Sequence, residues 1–119
     1  MKILIVDDSK LSRLTILKRI PAAIKESAEI LQGANGLEAV ALYKEHRPDI
    51  VFLDLTMPEM DGFEALQLIR DFDPNSWVHV VTADIQSKSQ EKVLGLGAIS
   101  VEAKPIAETR LAEIFAALP

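Results

Sequence analysis

The feature that most constrains the fold is an alternation of short apolar runs with segments whose apolar residues recur every three or four positions. The strand-length runs lie at 3–6, 50–53, 77–81 and 99–101, with a more polar fifth candidate at 29–32. Helix-like spacing follows each run, so the pattern predicts a strand followed by a helix, repeated five times. The runs at 3–6, 50–53 and 77–81 do not alternate with polar residues, which is typical of strands covered on both faces.

This order predicts an α/β fold, a doubly wound parallel sheet of five strands flanked by five helices. With 119 residues, 49% of them hydrophobic, the chain has the size and apolar content of one domain, 1–119. The first helical segment contains Pro21, which is disfavoured in a helix interior. Two alternatives stay open: a helix that ends near Ile20, or one that restarts with Pro21 in its first turn.

Charge and composition argue against several classes of protein. The chain has 13 basic and 18 acidic residues, a net charge of -5, and no Lys/Arg cluster that would form a footprint for a nucleic-acid backbone. The absence of cysteine excludes disulfides and zinc–thiolate sites. The first apolar run is too short for a signal peptide or a membrane span. We therefore expect a cytoplasmic protein that binds neither nucleic acid nor membrane directly.

Two adjacent acids, Asp7 and Asp8, directly follow the first strand and have no basic residue beside them. Two like charges about 4 Å apart cost about 1 kcal/mol in water and about 4 kcal/mol at the effective dielectric of a protein surface. A positive group is therefore needed if both side chains point to the same place. On its own, the pair favours an exposed turn or a helix N-cap formed by Asp8 or Ser9 over a binding site.

Polar residues also follow three of the other predicted strands. Asp54 follows the third strand, Thr82 the fourth and Lys104 the fifth. Because ligands of open parallel sheets bind outside the carboxyl ends of the strands, we expect these side chains to meet the paired acids at one edge. Carboxylates without His or Cys suit a hard divalent cation, and Mg²⁺ in particular keeps waters and leaves room for a phosphate.

Asp54 differs from the other two acids because it is single and ends a central strand. A carboxylate beside Mg²⁺ can act as the nucleophile in phosphoryl transfer and form an acyl phosphate. Lys104 would then be a compact cation on the other side of the phosphoryl group, and Thr82 would donate a hydrogen bond to one of its oxygens. The small side chain of Ala83 leaves room for the group.

In order and spacing, these residues resemble the receiver domains of two-component response regulators, closest in size to the stand-alone chemotaxis type. The matching motifs are the paired acids, "DLTMPEMDG" from Asp54, "TA" at 82–83 and "KP" at 104–105. The resemblance implies a flavodoxin-like sheet in the order 2-1-3-4-5. It also implies that Mg²⁺ is held by Asp7, Asp8, Asp54 and the backbone carbonyl of Thr56.

The resemblance further implies that Thr82 and Lys104 sense the phosphoryl group and that the peptide between Lys104 and Pro105 is cis. One position departs from the pattern: such domains usually carry Tyr or Phe three residues before the lysine, and this chain has Val101. Val101 has no ring that can turn inward. The structural change by which phosphorylation is signalled must therefore be weaker or built differently on the face formed by the fourth predicted helix, the last strand and the last helix.

The function implied is a Mg²⁺-dependent signalling switch: a histidine kinase phosphorylates Asp54, and the product binds a target protein or a phosphatase with altered affinity. We expect a monomer that catalyses only its own phosphorylation and dephosphorylation, at a rate tuned by Thr56 and Asp84, which flank the acyl phosphate in similar domains. A phosphate-sink receiver and a receiver excised from a larger regulator stay open as alternatives. An aspartyl-nucleophile phosphatase is less well supported, because it needs a second acid where this chain has Thr56.

Overall fold

The computed structural model describes residues 1–119 and resolves them into five strands and six helices. The strands are β1 (Lys2–Val6), β2 (Glu29–Gly33), β3 (Ile50–Leu53), β4 (Val78–Thr82) and β5 (Ser100–Ala103). The helices are α1 (Lys10–Arg19), α2 (Ala22–Ser27), α3 (Gly36–His46), α4 (Gly62–Phe72), α5 (Ser87–Gly95) and α6 (Glu108–Ala117). All strands pair in parallel in the order β2-β1-β3-β4-β5, which confirms the predicted α/β sheet.

The predicted number of five helices is wrong, because Pro21 divides the first helical segment in two. After α1, Ile20 is extended with ψ 136°, the conformation favoured before a proline. Pro21 then precedes α2, and its carbonyl oxygen accepts a hydrogen bond from the amide of Ile24 (3.0 Å). Both alternatives left open by the sequence therefore hold in part: one helix stops before Ile20, and a separate short helix starts after Pro21.

A hydrophobic cluster lies on each face of the sheet. On one face α3, α4 and α5 contribute Tyr43, Leu66 and Val93 to the cluster. On the other face α1 and α6 contribute Ile16 and Leu111. Every residue of β3 and β4 is buried, whereas the edge strand β5 is only partly buried. No helix has the length and hydropathy of a membrane-spanning segment.

The first helix is predicted from the spacing of Leu11, Leu14, Leu17 and Ile20, and two of these residues lie outside the core. Leu11 is 75% exposed and Leu14 is 42% exposed, whereas Ile16 is buried. Five residues carry an α-helix about 140° past a full turn, so a core contact centred on Ile16 leaves Leu11 on a different side of the helix. The apolar spacing therefore predicted the helix correctly, but only the later residues of that spacing, Leu17 and Ile20, pack against the sheet.

One histidine is buried between the sheet and α6. His79 in β4 is 3% exposed, its Nδ1 lies 2.7 Å from Ser100 Oγ, and its Nε2 has no hydrogen-bond partner. Because a buried N–H without an acceptor is costlier than a lone pair without a donor, we assign the proton to Nδ1, which donates to Ser100. Burial lowers the pKa of His79 to about 4, and the nearby charges of Glu102 and Arg110 oppose each other.

We predict that the free energy of unfolding falls as the pH drops from 6.5 to 4, because His79 stays neutral in the folded protein while it is protonated in the unfolded chain. The folded pKa, about 4, lies below the ordinary value of 6.5, so the stabilisation is complete above pH 6.5 and is lost toward pH 4. The difference corresponds to about 3 kcal/mol. Urea denaturation across this range should show a steeper decline for the wild type than for His79→Leu.

The matched control is Val81→Ala, a buried apolar position of the same strand, which should lower stability at every pH and leave the pH slope as in the wild type. Equal pH slopes for the wild type and His79→Leu would show that the buried imidazole does not set this pH dependence.

Candidate functional site

The parallel register brings the polar strand ends to one edge of the sheet. The amide of Asp54 donates to the carbonyl oxygen of Val6 (3.0 Å), which aligns the end of β3 with the end of β1. The amide of Lys104 donates to the carbonyl oxygen of Thr82 (3.0 Å), which aligns the loop after β5 with the end of β4. The polar residues that follow these strands therefore lie at the carboxyl edge of the sheet, the location predicted from the sequence.

Three carboxylates converge at this edge. One oxygen from each of Asp7, Asp8 and Asp54 lies within 4.8 Å of the others. Asp7 and Asp54 are buried, whereas Asp8 is exposed and leaves one side of the cluster open to solvent. The donors are hard oxygen ligands without histidine or cysteine, and the open side leaves room for water. This donor set fits Mg²⁺.

Lys104 supplies the positive charge that the paired acids require. Its Nζ lies 2.6 Å from Asp7 Oδ2 and 3.3 Å from Asp54 Oδ2. Burial alone would lower the pKa of Lys104, but the hydrogen bond to Asp7 and the charges of both acids outweigh that effect and raise the pKa. The lysine is therefore charged, and it joins the acid after β1 to the acid after β3.

Asp54 occupies an unfavourable environment for an ionised carboxylate. Burial raises the pKa of Asp54, and the charge of Asp7 raises it further. Lys104 offsets part of this increase, as does the hydrogen bond that the amide of Leu55 donates to Asp54 Oδ1 (2.9 Å). A carboxylate that is held in place and partly shielded from water is well suited to act as a nucleophile.

Two glycines fix the loop that follows Asp54. The amide of Gly62 donates to the carbonyl oxygen of Leu55 (2.8 Å), and a Cβ on Gly62 would overlap the carbonyl oxygen of Asp54. The amide of Gly36 donates to the carbonyl oxygen of Met60 (2.9 Å), which ties the same loop to the start of α3. The backbone of Asp54 is therefore set by contacts that leave no space for a side chain at Gly62.

Asp84 connects the hydroxyl of Thr82 to the start of α5. Thr82 is buried, and its Oγ1 accepts a hydrogen bond from the amide of Asp84 (3.1 Å). The Asp84 carboxylate accepts hydrogen bonds from the amide of Gln86 (3.2 Å) and from the hydroxyl of Ser89 (2.8 Å). The intervening Ala83 is exposed. A displacement of the Thr82 hydroxyl would therefore reach α5 through Asp84.

The other positions singled out in the sequence lie around this edge. Thr56 is exposed two residues after Asp54, and the role of its carbonyl as a metal ligand stays a prediction. Val101 is partly buried and packs against the cluster beneath α3, α4 and α5. The peptide between Lys104 and Pro105 is cis, as predicted.

Two polar contacts of the site were not predicted from the sequence. Arg13 Nη1 donates to the carbonyl oxygen of Asp7 (2.7 Å), and Ser89 donates to Asp84. Arg13 binds a backbone atom, which leaves no trace in the pattern of side chains. Ser89 lies five residues after Asp84, a spacing that carries no signal because Asp84 precedes the helix.

Comparisons with known proteins agree with this fold. The family model of the response regulator receiver domain matches residues 3–116 of the sequence. The chain is 42% identical over 115 residues to the chemotaxis protein CheY of Listeria monocytogenes serovar 1/2a, and the match covers 95% of this chain and 93% of that protein. It is 39% identical over 108 residues to the sporulation initiation phosphotransferase F of Bacillus subtilis, and that match covers 87% of this chain and 82% of the relative.

Among solved structures, the CheX–CheY–BeF₃–Mg²⁺ complex from Borrelia burgdorferi contains a similar chain. The two chains superpose with a TM-score of 0.87 and 33% identity, over 97% of this chain and 86% of that one. The sheet order and the matched sequence thus define an α/β domain of the receiver type. The chain belongs to the response regulator receiver family, which confirms the resemblance noted in its motifs.

We predict that Gly62→Ala lowers the free energy of unfolding by about 1–3 kcal/mol, because the new methyl group displaces the backbone of Asp54. Gly95 is the matched control, since a Cβ there meets no atom within 4 Å. Gly95→Ala, within α5, should leave stability unchanged or raise it by up to about 1 kcal/mol. Urea denaturation of both variants provides the measurement, and equal stabilities would refute the close contact at Gly62.

Proposed function

We propose that residues 1–119 act as a phospho-accepting switch, in which Asp54 takes a phosphoryl group from a histidine kinase in a Mg²⁺-dependent reaction. The observation that supports this most directly is the placement of Asp54. Its carboxylate is buried, lies in a cluster with Asp7 and Asp8, and has the ammonium of Lys104 3.3 Å away. A nucleophile, oxygen ligands for a divalent cation and a cation for the phosphoryl oxygens are thereby combined at one edge.

In the proposed reaction, an oxygen of Asp54 attacks the phosphorus of a phosphohistidine. A P–O bond forms as the P–N bond breaks, and the leaving imidazole nitrogen keeps the electron pair. Lys104 lies beside the same carboxylate and balances charge on the phosphoryl oxygens. Asp7, Asp8, Asp54 and the Thr56 carbonyl would hold Mg²⁺, which supplies further positive charge there when bound.

A true phosphatase is less well supported than a switch. An aspartyl-nucleophile hydrolase needs a general acid two residues after the nucleophile, and Thr56 stands there with an alcohol that cannot fill that role near neutral pH. We infer that the acyl phosphate persists long enough to be recognised by another protein. A receiver that serves as a phosphate sink would share the acceptor chemistry and differ in having no target.

The readout we propose runs through α5, because Val101 provides no aromatic ring to reorient. A movement of the Thr82 hydroxyl toward a phosphoryl oxygen, to which it would donate a hydrogen bond, would lengthen its contact with the amide of Asp84. Asp84 is also bonded to Ser89 in α5, so the displacement passes to the first turn of that helix. The new charge thereby biases a population of conformations that a partner can distinguish.

The partners we propose are a histidine kinase, which supplies the phosphoryl group, and a target protein or phosphatase that recognises the phosphorylated form. The net charge of -5 and the absence of a basic cluster argue against direct binding to nucleic acid. We propose a monomer that works in the cytoplasm.

Incubation with Mg²⁺ and acetyl phosphate is predicted to add the mass of one phosphoryl group, observed by intact-protein mass spectrometry. Asp54→Asn should abolish the adduct because the amide is a poor nucleophile. Asp71→Asn changes an exposed acid of α4 and is the matched control, which should be labelled like the wild type. Removal of Mg²⁺ with EDTA should strongly slow labelling.

An adduct that survives in Asp54→Asn would contradict the assignment of the acceptor. Continuous release of phosphate at enzymatic rates, without accumulation of the adduct, would instead favour the phosphatase.

We also predict that beryllofluoride, a mimic of the phosphoryl group, speeds amide hydrogen exchange in residues 83–90 by loosening the Asp84–Ser89 contact. In Ser89→Ala the unmodified protein should already exchange faster there, because the hydroxyl that holds Asp84 is gone. Ser87→Ala, an exposed position on the same turn, should behave like the wild type. No change in this segment with beryllofluoride would exclude α5 as the route of the readout.

A further inference from the structure

Arg13 contacts the backbone beside the acidic cluster but is not one of the three carboxylates that form it. It is the fourth residue of α1, and its side chain points back toward the start of that helix. Nη1 donates to the carbonyl oxygen of Asp7 (2.7 Å), and Nε donates to Oε1 of Gln32 in β2 (3.0 Å). The guanidinium therefore joins α1, the end of β1 and β2.

The carbonyl of Asp7 depends on this contact because the strand ladder ends beside it. The amide of Asp7 still donates to the carbonyl oxygen of Gly33 (3.1 Å), but β2 ends at Gly33 and the chain then turns into α3. In this parallel register the amide that would continue the ladder to the Asp7 carbonyl is that of Asn35, and it makes no backbone hydrogen bond to Asp7. Because Asp7 is buried, its carbonyl oxygen needs a donor from the protein, and Arg13 provides one in a charge-assisted bond.

The peptide that Arg13 holds is the one between Asp7 and Asp8. Its orientation sets the direction in which both side chains leave the backbone, and one oxygen of each must reach the shared cluster with Asp54. The Asp7 side chain is fixed separately, by the amide of Ser9 (2.9 Å) and by Lys104. Asp8 is exposed, so the peptide held by Arg13 is its main constraint.

We propose that Arg13 is a positioning residue that preorganises Asp7 and Asp8 for a divalent cation. This inference rests on the proposed function, because it concerns the same acidic edge. The positioning role and the charge of Arg13 predict opposite effects on the affinity for Mg²⁺. Because a nearby cation repels Mg²⁺, removal of the Arg13 charge alone would tighten metal binding. If positioning dominates, loss of Arg13 weakens binding although a repelling charge has been removed.

The test is the affinity of the full chain for Mg²⁺, measured by calorimetry, and for Mn²⁺, measured by electron paramagnetic resonance. Arg13→Gln is expected to weaken binding about tenfold, the usual size of an effect from groups that orient metal ligands. Arg13→Lys, which keeps one donor for the carbonyl, should lie between this variant and the wild type. Gln32→Ala removes the second anchor of Arg13 without changing charge and should weaken binding less than Arg13→Gln does.

Lys18→Gln is the matched control, since it removes an exposed cation of the same helix. It should bind the metal at least as tightly as the wild type, and circular dichroism should show that all variants are folded. With acetyl phosphate, Arg13→Gln should need more Mg²⁺ for half-maximal labelling but reach nearly the wild-type rate at saturation.

Unchanged or tighter binding in Arg13→Gln would overturn the positioning role and leave the proposed function intact. If the wild type itself neither binds the metal nor becomes labelled, the proposed function fails instead, and the two failures are thus distinguishable.

Discussion

The mutual repulsion of three carboxylates, and its compensation by one ammonium group, is the interaction on which this edge of the molecule depends. Asp7 and Asp54 are both buried, where like charges repel more strongly than in water. Lys104 contacts both of them and stays charged because their proximity outweighs the effect of its own burial. One ammonium offsets only part of the charge of three carboxylates, so a metal ion or a phosphoryl group that enters the site changes its net charge.

The sheet makes this arrangement possible because parallel strands deliver all their carboxyl ends to the same edge. Residues separated by almost the whole chain, such as Asp7 and Lys104, meet there without any long-range signal in the local sequence. Close backbone contacts then fix the acceptor: Gly62 lies against the carbonyl of Asp54, and Gly36 anchors the loop that joins them. The backbone of the proposed acceptor is thus enclosed by close contacts, whereas the start of α5 is exposed to solvent.

The strands and the acids at their ends could be predicted from local patterns, whereas the strand order came from the resemblance of the motifs to receiver domains. The helix count could not be predicted, since Pro21 allowed two outcomes and the structure combines them. The side of α1 that faces the core was also hidden, because Leu11 and Ile16 are equally apolar and only tertiary packing separates them. Arg13 was missed for a different reason: its partner is a backbone carbonyl, which has no identity in the sequence.

The central claim is that Asp7, Asp8 and Asp54 hold a divalent cation beside a phosphoryl group carried on Asp54. A crystal structure of the protein with Mg²⁺ and beryllofluoride tests it most directly. The account predicts density for the ion against these three carboxylates, beryllium on an oxygen of Asp54, and contacts from Thr82 and Lys104 to the fluorine atoms. An ion bound elsewhere, or an unmodified Asp54 with Lys104 still paired to Asp7 at saturating reagent, would contradict it.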